Sequence, residues 1–526
     1  MPKTSHAAEA IWMVSREYDR LAGAGGVKDV ARQLAEALVR TGRQVTVVLP
    51  AYGFLEPAAA GFAPAGDPFA VDMPYVGVER REKVQLWAAV RQGVRLLLVE
   101  ADRFREKHSV YTYTAEEEAK DPFHRQGSGH YDYFAMNVLL QKACLAALLR
   151  EGVRPAVIHA HDGHTAILPA MMRELEGFRH WLRDTGALVT IHNAGLGYHQ
   201  EVDDLPFAQT ICGLPGRLIL RHQLHGRFDP FLAAADYAVM TTVSENYARE
   251  LQETDQDRLT GWLGHTLAER GVRITGVTNG ISPADYDPSR PQQHGLAAAF
   301  DAGRGDLAGK AICRQTLVDR LAAGATPGLD QTGFLASRPG QPLFTLISRF
   351  MAQKGVDLLV AALADLLPRD PDFQVLILGS GAKDLETALM QLAADPANQG
   401  RLCLLRGFSA TLADQIYAAG DFFLVPSRYE PCGLTDFIAQ LFGNLPVVHH
   451  VGGLVKVVDG ETGLAFHEPT AAALTAAMER ALALFRSQPQ AIRAMQQAAV
   501  RRIHDRHTWD RVVSRYLDLY QRARPR

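Results

Sequence analysis

Short apolar runs rich in β-branched residues recur along the chain, alternating with stretches whose apolar positions fall at helical spacing. In the first half they read AIWMVS, QVTVVLP, VRLLLVEA, AVIHAHD, ALVTIHN, YAVMTTVS and RITGVTNG. In the second they read LFTLISR, QVLILGS, RLCLLRG, FFLVPSR, LPVVHH and GLAFH. Continuous apolar strands joined by helices predict parallel sheets covered on both faces, an α/β class of doubly wound domains. After Gly26 the helical partner is plain, because Val27, Val30, Ala31, Leu34, Ala35 and Leu38 share one face and Gly42 supplies a stop. The stretch PSRPQQHGLAAAFDAGRG, rich in Pro, Gly and Gln, separates the two strand series. Beyond it AGKAICRQTLVDRLA predicts the helix that leads into the second sheet. Two Rossmann-like domains facing each other across a deep cleft are the expected architecture, residues 1–288 and 289–506. Ligands of such sheets collect at the carboxyl ends of the strands.

A length of 526 residues agrees with more than one domain. The formal net charge of -3 argues against a nucleic-acid partner, whose phosphates would call for excess cations. The five cysteines are far apart and form no C-x-x-C pair, which excludes a disulfide framework or a zinc ribbon. No uninterrupted apolar run reaches the ~18 residues of a membrane span. The first residues meet a charged pair before a signal-peptide core can form. A cytoplasmic protein without membrane partners is expected, its oligomeric state left open.

Five segments carry candidate chemistry. In SREYDRLAGAGGVKDV a strand runs into a Gly-rich turn that opens a helix. There Gly25 and Gly26 would let the backbone approach an anion, although the turn lacks the G-x-G-x-x-G spacing of a dinucleotide site. In HAHDGHTA, His159 and His161 alternate on one side of a strand end. A third and fourth metal ligand are not evident, so His161 reads as a hydrogen-bonding group for a polar substrate, and no metal is expected. One βα unit later, TIHNAG places His192 and Asn193 at the next strand end, a pair that would otherwise read as a loop cap. SRFMAQKG sets Arg349 and Lys354 around a short loop, a fork and a point charge suited to a diphosphate. Last, PSRYEPCGLTDF puts Glu430 in a Pro-containing turn, and Gly433, Leu434 and Thr435 then open a helix. Their amides would hold phosphate while Glu430 reaches sugar hydroxyls and offsets positive charge at an anomeric carbon. Cys432, in the same turn, has no His/Asn partner pattern and reads as a small packing residue rather than a nucleophile.

Taken in order, AGAGGVKDV, HAHDGHTA, TIHN, TTVSENYARE, GVTNGI, SRFMAQKG, IYAAGD, PSRYEPCGLT and GGL resemble the bacterial glycogen and plant starch synthases, glycosyltransferase family 5. The likeness runs from about Ser15 to Trp509. A related family of retaining transferases carries a second Glu where this chain has Ile438. The resemblance implies a GT-B fold, an acceptor domain followed by a nucleotide-sugar domain, and a closing helix within 507–526 that returns to the first domain. It implies glucose transfer from ADP-glucose to the 4-hydroxyl of an α-1,4-glucan, with retention and no required cofactor. Arg349 and Lys354 would then neutralise the leaving diphosphate, Glu430 would bind the glucosyl ring, and the backbone from Gly433 to Thr435 would hold phosphate. Tyr417 would lie against the nucleobase, and His161 would contact the donor glucose with Asn193 and Asp132 nearby. This chain departs from the family at Gly23, where a Lys is usual, at Gly163 in place of Trp, and at His449 and His450 in place of an Arg pair. Lys28, on the polar side of the first helix, reads as a solvated cation rather than a substitute for that Lys. Those departures keep two alternatives in view, a transferase using UDP-glucose and a catalytically weak glucan-binding or regulatory relative.

Overall fold

The computed structural model describes residues 10–525. The chain divides into two compact units, one reaching to Gly280 and resuming at Trp509, the other Ile281–Thr508. The divide therefore falls at Gly280 rather than at 288. Ile281 N donates to His507 O at 2.8 Å and Tyr286 packs into the second unit's core, which draws 281–288 into that unit.

The first unit is built on a ten-stranded sheet. Its strands lie in the order Ile274–Gly276, Val239–Thr242, Gly186–Ile191, Val157–His161, Ala10–Val14, Gln44–Pro50, Val94–Glu100, Arg81–Arg91 and Ala63–Pro64, with Phe69–Asp72 paired to Arg81–Arg91 off this path. Pairing is parallel from Ile274–Gly276 through Val94–Glu100 and antiparallel beyond. The order reverses at Ala10–Val14, which lies between Val157–His161 and Gln44–Pro50. This is the switch point where loops part to leave room for a ligand. The expected first helix is Val27–Arg40, burying Val30, Ala31, Leu34, Ala35 and Leu38. Gly42, at φ 84°, follows its end.

The helix Trp509–Ala523 belongs to this unit. Trp509 Nε1 donates to Gln33 Oε1 at 2.8 Å, and Tyr520 Oη lies 2.9 Å from His159 Nδ1. A Cβ on Gly186 would come within 2.6 Å of Ala523 O, so only glycine admits the helix so close to that strand.

The second unit has seven strands in the order Asp330–Gly333, Leu402–Arg406, Gln374–Gly381, Leu343–Phe350, Phe422–Val425, Leu445–His449 and Leu464–Phe466, all parallel except the first pair. Its switch point falls between Leu343–Phe350 and Phe422–Val425, so the QKG and SRYEPCGLT loops leave neighbouring strand ends. Interior positions of both sheets are mostly apolar and almost fully buried, each large apolar side chain contributing ~1.5–3 kcal/mol. Among the described residues the five cysteines are buried thiols, and no helix is long and apolar enough to cross a membrane.

Candidate active site

In the second unit the strand Leu343–Phe350 ends with Arg349 exposed, and a short 3₁₀ turn, Ala352–Lys354, follows. Gly355 then adopts φ 67°, and a Cβ there would lie 2.0 Å from Pro426 O. Glycine thus lets the two loops touch, and Arg428 N donating to Gln353 O at 2.9 Å ties them. Across this seam Lys354 Nζ donates to Glu430 Oε2 at 2.6 Å, and Ser427 Oγ donates to the same oxygen at 2.9 Å. The Glu430 side chain is 13% exposed. Burial alone would raise its pKa, but the Lys354 charge and the hydrogen bonds from Lys354 and Ser427 hold it below the ordinary glutamate value. The result is an ionised carboxylate held on one oxygen. Behind it, His449 places Nδ1 2.7 Å from Ser427 O and Nε2 3.0 Å from His467 O.

Gly433, at φ 73°, turns the chain into the helix Thr435–Leu441, with Cys432 buried and Leu434 and Thr435 half-buried. The sequence reading missed two residues beneath this turn, Asp436 and Lys456, and also Ser427. The only trace of Lys456 was a charge set among valines in GGLVKVV. Tyr417 does not fit its expected place. Its ring packs against Phe423 and Phe442 in the core and is 4% exposed, so protein already covers the face meant for a nucleobase.

In the first unit Asp162, at φ 61°, receives His192 N at 2.7 Å and Asn193 N at 3.2 Å, joining the two strand-end loops. Burial pushes its carboxyl up to about 7 against the pull of those amides. His161 Nδ1 lies 2.8 Å from His192 Nε2, and its ring sits 4.2 Å from that of His159. Burial holds His159 and His192 down at about 3 and pulls His161 well below the ordinary value, so all three rings are neutral near pH 7. His161 Nε2 is buried with no partner among the described residues. Such an atom costs free energy unless a ligand supplies its hydrogen bond. Asn193 Oδ1 accepts from Gly195 N at 2.8 Å, the loop-cap role.

Other expected groups are engaged elsewhere. Asp132 accepts from Arg103 Nη1 at 2.7 Å and pairs with Lys107 Nζ at 3.0 Å, so its carboxylate belongs to an ion-pair cluster rather than to His161. Two amides of the Gly-rich turn are also taken. Ala24 N and Gly25 N donate to Glu17 Oε2 at 2.7 and 2.9 Å, and Tyr111 Oη donates to Glu17 Oε1 at 2.6 Å. A buried internal carboxylate therefore takes the Gly25 amide that was expected to greet an external anion. Lys28 is half-buried and ion-paired rather than simply solvated. Its stem lies over Gly23, where a Cβ would meet Lys28 Cδ at 2.3 Å, and its Nζ is 2.9 Å from Asp29 and 3.3 Å from Asp19. Gly163 has a steric cause as well, since a Cβ would come within 2.3 Å of His199 O and leave a Trp no room.

Two doubly wound units, one with a carboxylate–lysine pair and a glycine turn at its switch point, define a glycosyltransferase of the GT-B type. Residues 10–265 match the family model described as starch synthase catalytic domain, and residues 341–483 match glycosyl transferases group 1. A glycogen synthase of Anaeromyxobacter dehalogenans is 32% identical, covering 98% of this chain and 99% of that protein, and one of Syntrophotalea carbinolica is 32% identical, covering 98% of each. The catalytic domain of starch synthase IV from Arabidopsis thaliana, solved with ADP and acarbose, superposes with a TM-score of 0.79 at 24% identity over 98% of this chain and 99% of that one. The chain belongs to the glycogen synthase family, the glycosyltransferases that elongate glucans.

Proposed function

We propose that the chain transfers glucose from ADP-glucose to the 4-hydroxyl at the end of an α-1,4-glucan, with retention at the anomeric carbon. The observation that carries this reading is Glu430, an ionised, sheltered carboxylate tied to Lys354 beside the Gly433 turn. Arg349 and Lys354 take the diphosphate charge that grows as the glycosidic bond breaks, which favours the transition state over the ground state. Glu430 holds sugar hydroxyls and offsets the cationic anomeric centre. The backbone from Gly433 to Thr435 receives phosphate oxygens, and Cys432 packs that turn. In the first unit, the unpartnered Nε2 of neutral His161 offers a hydrogen bond to a sugar hydroxyl, and Asn193 shapes the adjoining loop. The ADP and acarbose bound to the starch synthase support adenine as the donor base and an α-glucan as the acceptor.

The test is transfer of labelled glucose onto glycogen from ADP-glucose and, separately, from UDP-glucose. Preferential transfer from ADP-glucose is expected. Preference for UDP-glucose would overturn the donor assignment, and glycogen binding without transfer from either would identify a weakly catalytic relative.

A further inference from the structure

Lys456 follows the Gly452-Gly453-Leu454 turn in the second unit, and its side chain is 6% exposed. Its Nζ donates to Cys432 O at 2.5 Å, Gly433 O at 2.9 Å and Gly453 O at 3.2 Å. The ammonium also pairs at 2.9 Å with Asp436, whose side chain is fully buried, and stands 4.6 Å from the Phe437 ring centroid. Two consecutive carbonyls of the SRYEPCGLT loop therefore point at one cation. Every peptide here is trans, so each C=O is antiparallel to the N–H that follows it. With the carbonyls of Cys432 and Gly433 drawn toward Lys456, the amides of Gly433 and Leu434 face the opposite side.

The backbone rests directly on this pair. A Cβ on Gly433 would lie 2.8 Å from Asp436 Oδ1 and 3.2 Å from Lys456 Nζ. The same segment braces Glu430, because Gly453 N donates to Glu430 O at 2.9 Å and a Cβ on Gly452 would come within 2.0 Å of that oxygen. Asp436 balances the charge of Lys456, so the cation acts on a ligand through aim more than through attraction. A buried ion pair is seldom more stable than an apolar pair of the same size, and stability alone gives little reason for it here.

We propose that Lys456 is a positioning residue for the nucleotide-sugar donor, turning the Gly433 and Leu434 amides toward the diphosphate and fixing the backbone that carries Glu430. The inference rests on the reading of this loop as the donor's seat. It does not require Lys456 to touch the donor.

The experiment uses the full chain and the variants Lys456→Met, which keeps the apolar stem without a donor, and Lys456→Gln, which keeps one donor group. Binding of ADP and of UDP is measured by calorimetry, KM is measured for sugar nucleotide and for glycogen, and thermal unfolding is followed in parallel. For the nucleoside diphosphate that the wild type binds, Kd is expected to rise about tenfold or more in Lys456→Met and less in Lys456→Gln. Donor KM should rise in step, with glycogen KM unchanged. Unchanged Kd in a folded Lys456→Met variant would overturn the inference and leave the donor-site reading standing. Loss of cooperative unfolding in both variants would overturn it in favour of a folding role. A wild type that binds neither ADP nor UDP would overturn the donor-site reading and this inference with it.

Discussion

Removing the Lys354 ammonium tests the centre of the site. Lys354 Nζ lies 2.6 Å from Glu430 Oε2, and the two side chains are 22% and 13% exposed. Two unit charges 4 Å apart at an effective dielectric of about 20 interact by about 4 kcal/mol, and this contact is shorter. Deleting one partner of a buried pair typically costs ~3–5 kcal/mol, because the other charge stays desolvated. Some water can reach this pair, so the lower end of that range is the expectation for stability. Catalysis adds a separate loss, since groups aimed at charge developing in a transition state contribute ~10²–10³-fold to kcat. Lys354→Met should therefore lower kcat for glucose transfer by about 10²-fold or more and also lower Tm. Arg349→Ala should lower kcat without a comparable fall in Tm, because Arg349 is exposed. The carboxylate also changes. Glu430 is held below its ordinary pKa with Lys354 present, and without that charge burial raises it. The acid limb of the pH–rate profile should then move to higher pH in Lys354→Met. In a Glu430→Gln background the added Lys354→Met change should cost less than it does alone, as coupled neighbours do. A kcat within about threefold of wild type at saturating donor would refute the reasoning and place the diphosphate elsewhere.

Gly355→Ala forces φ 67° on an alanine, ~1–2 kcal/mol, and adds a backbone overlap with Pro426 O. It should lower Tm and raise donor KM together, and an unchanged KM would separate the seam between the loops from donor binding. Lys28→Ala should leave donor KM and kcat within about threefold, since the ammonium is held by Asp19 and Asp29. A collapse of activity would make Lys28 a phosphate ligand. Asp162 titrates near 7 in the fold and near 3.8 when unfolded, so the folded state binds more protons between those values and stability falls as pH rises through them. Asp162→Asn keeps an acceptor for His192 N without the charge, so its Tm advantage should grow from pH 5 to pH 8. A constant difference across that range would mean Asp162 is ionised throughout.

Alternating apolar strands and helical stripes were enough to read the parallel strands of both sheets, because strands buried on two faces leave continuous runs such as QVTVVLP and LFTLISR, whereas the antiparallel edge strands Ala63–Pro64, Phe69–Asp72, Arg81–Arg91 and Asp330–Gly333 carry no such run and went unread. Lys354 and Glu430 were legible because their loops leave strands at a switch point, so residues 76 positions apart meet at 2.6 Å. What escaped depended on which partner arrives first. Nothing local to GAGG says that Glu17 takes its amides. Nothing in IYAAGD says that Tyr417 falls on the helix face turned toward Phe423 and Phe442. Asp132 stands at the start of a long helix, but its partners come from the short helix Asp102–Arg105, which carries Arg103, and from Lys107 just after it. Lys456 and Asp436 each break an apolar pattern, and their meaning emerges only when the two loops are stacked.

The close approach of Trp509–Ala523 to the strand at Gly186 bears on the order in which a growing chain can complete itself. The ribosome delivers the contiguous Ile281–Thr508 unit in one stretch, and it can fold as soon as that stretch has emerged. The other unit must wait, because until the final helix emerges His159 lacks Tyr520, Gln33 lacks Trp509, and the Gly186 strand lacks its cover. The half of the protein made first is thus the last to be finished, and through that interval the Gly186 strand stands without its cover.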